Sequence, residues 1–274
     1  MCKRKNNELM SETDKQILHW LTQLPPISLD EMSGIKLMNR TDTKFVTNKG
    51  KLAQLLELVQ GQYYVQQIEG SRIANYRTLY YDTPAHRFYT DHHNGCAPRQ
   101  KIRVRTYLDS DMTFLEVKTK NNHGRTKKKR ITVPSTAQAD IVAAGGSDFT
   151  QGLTGETFAS ILPTVENQFQ RITLVNYGKT ERLTIDFNVC FHNYETDSDA
   201  ETGDLVIIEL KRDGNVFSPI LKMLRQLRIK PHGFSKYCIG SAMTNGRLKN
   251  NTFKFKMVTI SKLTGHPFRV PQKS

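Results

Sequence analysis

Apolar and polar residues alternate at every second position through much of the chain between Asn39 and Lys211. In a β-strand such neighbours point to opposite sides, so each segment predicts one face that packs and one that does not. The first, Asn39–Thr47, sets Arg40, Asp42 and Lys44 against Thr41, Thr43 and Phe45. In Asn75–Asp82, Tyr76, Thr78 and Tyr80 oppose Arg77, Leu79 and Tyr81. Residues 99–108 place Arg99, Lys101, Arg103 and Arg105 on one side and Ile102, Val104 and Leu108 on the other. A turn at Asp109–Asp111 leads into 113–120, where Phe114, Glu116, Lys118 and Lys120 oppose Leu115 and Val117. Asn121–Gly124 turns again into 127–133, with Lys128, Arg130 and Thr132 against Ile131 and Val133. A further hairpin joins 168–177 to 181–189, where Arg182, Thr184 and Asp186 oppose Leu183, Ile185 and Phe187. Strand 205–211 carries Glu209 and Lys211 on one side.

Helical spacing appears between these strands. Ser11 is placed to cap a helix carrying Ile17, Leu18, Leu21 and Leu24, which Pro25-Pro26 stops. Residues 49–60 repeat the pattern with Leu52, Leu55, Leu56 and Val59. Shorter helices are predicted through Phe88-Tyr89, over 137–144, from Pro219 to Leu227 and over 234–243. The Gly-, Ser- and Thr-rich stretch 135–160 reads as an insertion, and the basic tail after Arg247 as loosely ordered. Because strand follows strand directly at three turns, the class is α+β with an antiparallel sheet and not a βαβ repeat.

Two architectures fit this alternation equally. In a β-sandwich the apolar faces meet inside and the charged faces look out. In an inverted barrel the charged faces line a tunnel and helices cover the apolar faces from outside. The amphipathic helices need apolar surfaces to cover, and the charged faces are rich in cations and poor in acids. Both features favour inversion.

Composition narrows the partner. Lys plus Arg number 40 against 26 Asp plus Glu, a formal charge of +14, which predicts an anionic ligand. No apolar run approaches the roughly 20 residues that span a bilayer, and a cytoplasmic location is expected, with membrane association through a partner. Cys2, Cys96, Cys190 and Cys238 lie far apart with no Cys-x-x-Cys, so reduced thiols are expected. His92, His93 and His123 fall in turn regions and are read as solvated. The basic strand lacks interleaved aromatics, so no nucleic acid is expected.

Seven blocks occur in order: Arg40-Thr-Asp-Thr-Lys-Phe45, Tyr80-Tyr-Asp-Thr83, Lys101-Ile-Arg-Val-Arg105, Phe114-Leu-Glu-Val-Lys118, Glu181-Arg-Leu-Thr-Ile-Asp186, Ile208-Glu-Leu-Lys211 and Phe234-Ser-Lys-Tyr237. Together they resemble the VTC domain, the polyphosphate-polymerase branch of the triphosphate tunnel metalloenzyme superfamily. The resemblance implies an antiparallel β-barrel of about eight strands forming a tunnel flanked by helices. It divides the chain into a helical leader (1–34), a tunnel domain (35–245) and a basic tail (246–274).

The activity it implies is metal-dependent transfer of the ATP γ-phosphate to a growing inorganic polyphosphate chain. Hydrolysis of triphosphates and binding without catalysis are the alternatives. Carried over by position, Lys44, Arg103, Arg105, Lys118, Lys128, Arg171 and Lys236 match the phosphate-binding cations. Ser235 matches a phosphate-binding hydroxyl and Glu209 the carboxylate for Mn²⁺ or Mg²⁺. Arg40, Lys101, Arg130, Arg182 and Lys211 share the same faces and are expected to line the substrate path. Phosphoryl transfer suits these residue types, because it needs alignment and neutralised charge more than covalent help. The sequence departs from the family pattern at Phe169, where a tyrosine is usual, and at Gly233, where a lysine is usual. By analogy with the family's transporter-like complexes, a membrane-protein partner is expected.

Overall fold

The computed structural model describes residues 10–33, 40–123, 125–214 and 216–271. Its first half runs α1 (Glu12–Gln23), β1 (Pro26–Ile27), α2 (Leu29–Ser33), β2 (Arg40–Asn48), α3 (Lys49–Leu58), β3 (Tyr63–Gln66), β4 (Ala74–Asp82), α4 (Arg87–His93), β5 (Arg99–Tyr107), β6 (Met112–Lys120) and β7 (Thr126–Val133). There follow α5 (Gln138–Ala143), α6 (Gly146–Thr154), β8 (Leu162–Asn176), β9 (Glu181–Asn193), β10 (Ser198–Glu201), β11 (Leu205–Asp213), α7 (Pro219–Gln226), α8 (Lys236–Thr244) and α9 (Asn251–Thr264).

One sheet carries the strand order β2-β11-β9-β8-β4-β5-β6-β7, with every neighbouring pair antiparallel. Among the described residues no ladder joins β2 to β7, so the sheet is a barrel-like tunnel with an open seam. The segment around Pro231 runs along that seam: His232 N–H donates to the Lys44 carbonyl at 2.8 Å, and Pro231 bridges to Phe45.

Helices cover the sheet from outside on two flanks. Ile17, Leu21 and Leu24 of the α1 segment, Leu52, Leu55 and Leu56 of α3, and Ile220 and Leu224 of α7 bury the outward side chains Phe45, Ile172, Leu183, Ile185 and Ile208. Full burial of each such side chain is worth about 1.5–3 kcal/mol. Ser11 caps α1 as expected, its Oγ accepting from Asp14 N–H at 3.1 Å, and at the start of α3 Asn48 Oδ1 accepts from Lys51 N–H at 3.0 Å. The second flank sets α4 against β4 and β5 and α6 against β6, while α9 lies against β2 and β11.

The helix α8 takes a different place. All of its residues from Tyr237 to Thr244 are buried. Phe234 and Tyr237 share one apolar cluster with Val46, Tyr76, Tyr80, Phe169 and Ile207, residues that register puts on the inner face of the sheet. The helix therefore stops one end of the hollow. Its backbone comes so close to β9 that a Cβ on Gly240 would stand 2.4 Å from the Phe191 ring.

Several expectations are corrected. Residues 251–264 form α9, which buries Phe253, Met257 and Ile260, where the basic composition suggested loose order. The insertion holds a second helix, α6. His93 is buried, and His92 is pushed down to about 2 by burial and by Lys101, Arg99 and Lys256, so neither is a solvated turn residue. Among the described residues, Cys96 and Cys238 are free thiols. No helix among the described residues is long and apolar enough to cross a membrane.

Candidate functional site

Antiparallel register decides which side chains share a face, since directly paired residues point the same way. Lys101, Arg103 and Arg105 of β5 pair with Lys118, Glu116 and Phe114 of β6. On β7, Lys128 and Arg130 stand opposite Lys118 and Glu116. On the other side of β5, Arg103 pairs with Tyr80 and Arg105 with Thr78 of β4. The same face continues through Phe169 and Arg171 of β8, Asp186, Thr184 and Arg182 of β9, and Glu209 and Lys211 of β11, to Lys44 of β2.

Electrostatics show that this face curls on itself. The Lys118 ammonium is held well below the ordinary lysine range, first by Arg103, then by burial, with Arg105 and Lys44 adding and Glu209 opposing. Lys118 sits on β6, near one end of the strand order, while Glu209 and Lys44 sit on β11 and β2 at the other. Their charges meet across a hollow and not along the sheet.

The cations divide into two kinds. Some are compensated. Arg103 donates through Nε to Glu116 Oε2 at 2.7 Å, and Lys128 reaches the other oxygen of the same carboxylate at 2.8 Å. Arg171 grips Asp186 with two bonds of 2.6 and 2.8 Å, and Lys236 also binds that carboxylate. Lys211 pairs with Glu209 at 2.7 Å. The second kind has no ion-pair partner among the described residues: Lys44, Lys101, Arg105 and Lys118. Lys44 donates to the Phe234 carbonyl at 3.0 Å, Lys101 to Ser235 Oγ at 2.9 Å, and Arg105 to Thr78 Oγ1 at 3.2 Å. Arg105 is only 8% exposed, so water compensates little of its charge.

The acids remain ionised despite burial. Burial opposes charge on Glu116, yet Arg103, Arg105 and Lys128 hold it well below the usual carboxylate range. The same balance, set by Arg171 and Lys236, keeps Asp186 charged. At Glu209, Lys211, Lys44 and Lys118 outweigh burial and keep the carboxylate charged.

Ser235 begins α8 at the edge of this hollow. Its hydroxyl oxygen accepts from Cys238 N–H at 3.3 Å and from Lys101, which leaves its own O–H as a donor to a ligand. Arg130 lies exposed over the Phe114 ring at 4.4 Å, so it belongs to the rim and not the buried centre. Arg182 and Lys211 lie side by side past Glu209. The side chain of Arg40 lies outside the described residues.

Sequence pattern alone gave no role to four inner groups. Tyr80, 4% exposed, lies among Arg103, Arg105, Lys236 and Lys101, which together outweigh burial and lower its phenol. Glu116 ties β5, β6 and β7 together. Asn167 is buried with neither side-chain polar atom partnered among the described residues, and so is the hydroxyl of Thr184 beside Glu209. Burying an unpaired amide costs about 1–3 kcal/mol, and an alternating pattern in the sequence would have flagged Asn167 only as one polar residue among several. A cavity of about 360 Å³ lies elsewhere, lined by Gly246, Leu248, Lys249, Lys254, Val270 and Pro271, and holds none of this chemistry.

A curled antiparallel sheet with its cations inward and its helices outward defines the triphosphate-tunnel fold. Within that class the chain belongs to the VTC domain family, whose model matches residues 39–245. Among curated proteins none matches it in sequence. Among solved structures it is similar to a Hippeastrum protein assigned as an adenylyl cyclase and described as having a dominant triphosphatase activity. That likeness has a TM-score of 0.50 and 14% identity, covering 74% of this chain and 94% of that one. A Bacillus halodurans protein assigned as an adenylate cyclase aligns with TM-score 0.47 and 13% identity, over 72% of this chain and 96% of that one. Identities this low speak for fold alone.

Proposed function

We propose that the protein elongates inorganic polyphosphate, transferring the γ-phosphate of ATP to a chain end held in the tunnel. The observation that carries this reading is a set of cations without acid partners among the described residues, the buried Arg105 and the half-buried Lys44, Lys101 and Lys118, drawn from strands at both ends of the sheet order. A linear polyanion is the ligand that neutralises such a lining along its length. The planar Arg105 and Arg103 guanidinium groups suit two oxygens of one phosphoryl group, while Lys44 and Lys118 act as point charges. In the transfer, a terminal oxygen of the chain bonds to the γ-phosphorus, the bond to the β-phosphate oxygen breaks, and ADP leaves. The attacking oxygen is already anionic, so the reaction needs no strong protein base.

Among the described residues no three His, Cys, Asp or Glu side chains gather in a metal-binding group. The residues fit a divalent cation held by one protein carboxylate, the ionised Glu209, and otherwise by substrate phosphates, a common arrangement for Mg²⁺. Mn²⁺ or Mg²⁺ bound there would neutralise charge on the phosphate oxygens.

The test is to incubate purified protein with ATP and Mn²⁺ and to size the product. Polymer with stoichiometric ADP is expected. ADP with orthophosphate and no polymer would replace this reading by hydrolysis, the activity described for the Hippeastrum protein. Glu209→Gln is expected to lower metal-dependent turnover by about 100-fold or more while leaving polyphosphate affinity largely intact. Loss of affinity with unchanged turnover would remove Glu209 from the metal site.

A further inference from the structure

Resting on that reading, we propose that α9, which lies beyond the family-matched residues, supplies Lys256 to a second anion subsite at the seam end of the tunnel. The subsite would take a phosphoryl group of a chain that extends past Lys101, and so distinguishes long polyphosphate from triphosphate.

Three observations place it. A Cβ on Gly233 would stand 3.7 Å from Lys256 Nζ, so the ammonium of α9 already lies over the one position in this loop without a side chain. Two residues further on, Ser235 Oγ receives Lys101 Nζ at 2.9 Å, and between them the Phe234 carbonyl receives Lys44. Lys256, Lys101 and Lys44 therefore attend one continuous stretch, 233–235, that leads into the hollow. None of Arg99, Lys101 and Lys256 takes part in an ion pair among the described residues.

The rings beside these cations are neutral. The imidazole of His92 feels burial first, then Lys101, Arg99 and Lys256, and is held uncharged. His232, next to Gly233, is lowered by burial and by Lys256. A structural salt network would place carboxylates at those positions. Rings that cannot neutralise the cations leave them available to a mobile anion.

The test compares affinities for tripolyphosphate and for long-chain polyphosphate by calorimetry at fixed ionic strength. The proteins are the full chain and its variants Lys256→Ala, Lys256→Gln and Lys256→Arg. Removing the ammonium is expected to weaken long-chain binding about tenfold, a charge-assisted bond's worth, with tripolyphosphate affinity changed by about twofold or less. Lys256→Arg should retain wild-type preference. The double variant Gly233→Lys with Lys256→Ala should recover it, since position 233 has an ordinary backbone and room for a side chain. Lys254→Ala, which removes an exposed charge from the same helix, should change neither affinity. Equal weakening toward both polymers, no weakening, or the same loss from Lys254→Ala would overturn the subsite. Wild-type protein that binds neither polymer would instead overturn the tunnel reading on which it rests.

Discussion

Lys236 links the tunnel to pH. Burial pushes its ammonium down to about 8 from the ordinary 10.5, with Asp186 opposing and Arg171 adding. In the ligand-free protein it is protonated below about pH 8 and neutral above. Phosphate affinity is therefore expected to fall as pH rises through 8, and binding above that point should take up a proton. Titration calorimetry in buffers of different ionisation enthalpy measures the uptake directly; enthalpies independent of buffer would contradict it. Stability has its own sign. Between about 8 and 10.5 the unfolded chain binds more protons at this position, so Lys236 makes the empty protein more stable with rising pH across that window. Glu116 is the residue whose loss should cost most. Glu116→Ala leaves Arg103 and Lys128 facing each other without an acid, a loss of about 3–5 kcal/mol for a broken buried pair, read from the denaturation midpoint. The rail of Arg103 and Arg105 was legible from period-two spacing alone. That Glu116 would stand between Arg103 and Lys128 was not, because it depends on the register of two successive hairpins.

Elements with strong periodicity were the readable ones. Leu52, Leu55, Leu56 and Val59 announce α3, and Ile102, Val104, Leu115 and Val117 announce β5 and β6. The helix α9 was hidden because its buried residues, Phe253, Met257 and Ile260, are diluted by Lys, Thr and Asn. The four-residue strand β3 was too short to show a period. Nor does the sequence of α8 disclose that it will be enclosed on every side. At Gly240 that enclosure becomes a prediction: Gly240→Val drives a side chain into Phe191. Overpacking of this kind costs about 1–3 kcal/mol. Because α8 begins at Ser235 and Lys236, the same change should also weaken phosphate binding. A variant that lost stability but kept full affinity would show that the end of the helix is positioned independently of its middle.

For the whole molecule, periodicity could not tell inside from outside. A sandwich and a tunnel share the same alternation, and what separates them is the presence of α1, α3 and α7 on the apolar side. Enclosure also sets selectivity. Tripolyphosphate is expected to displace bound nucleotide far better than duplex DNA of equal charge, because a rigid double helix cannot enter the hollow. Equal competition would place the binding surface outside. Arg103 and Arg105 of β5 bear on handling as well as on chemistry. Like charges about 7 Å apart repel by about 2.4 kcal/mol at an effective dielectric of 20, and an anion that lodges between them reverses that term. The melting temperature should thus follow the supply of multivalent anions: protein kept in chloride alone should be the most fragile, and orthophosphate, sulfate and tripolyphosphate should each toughen it, in rising order of charge.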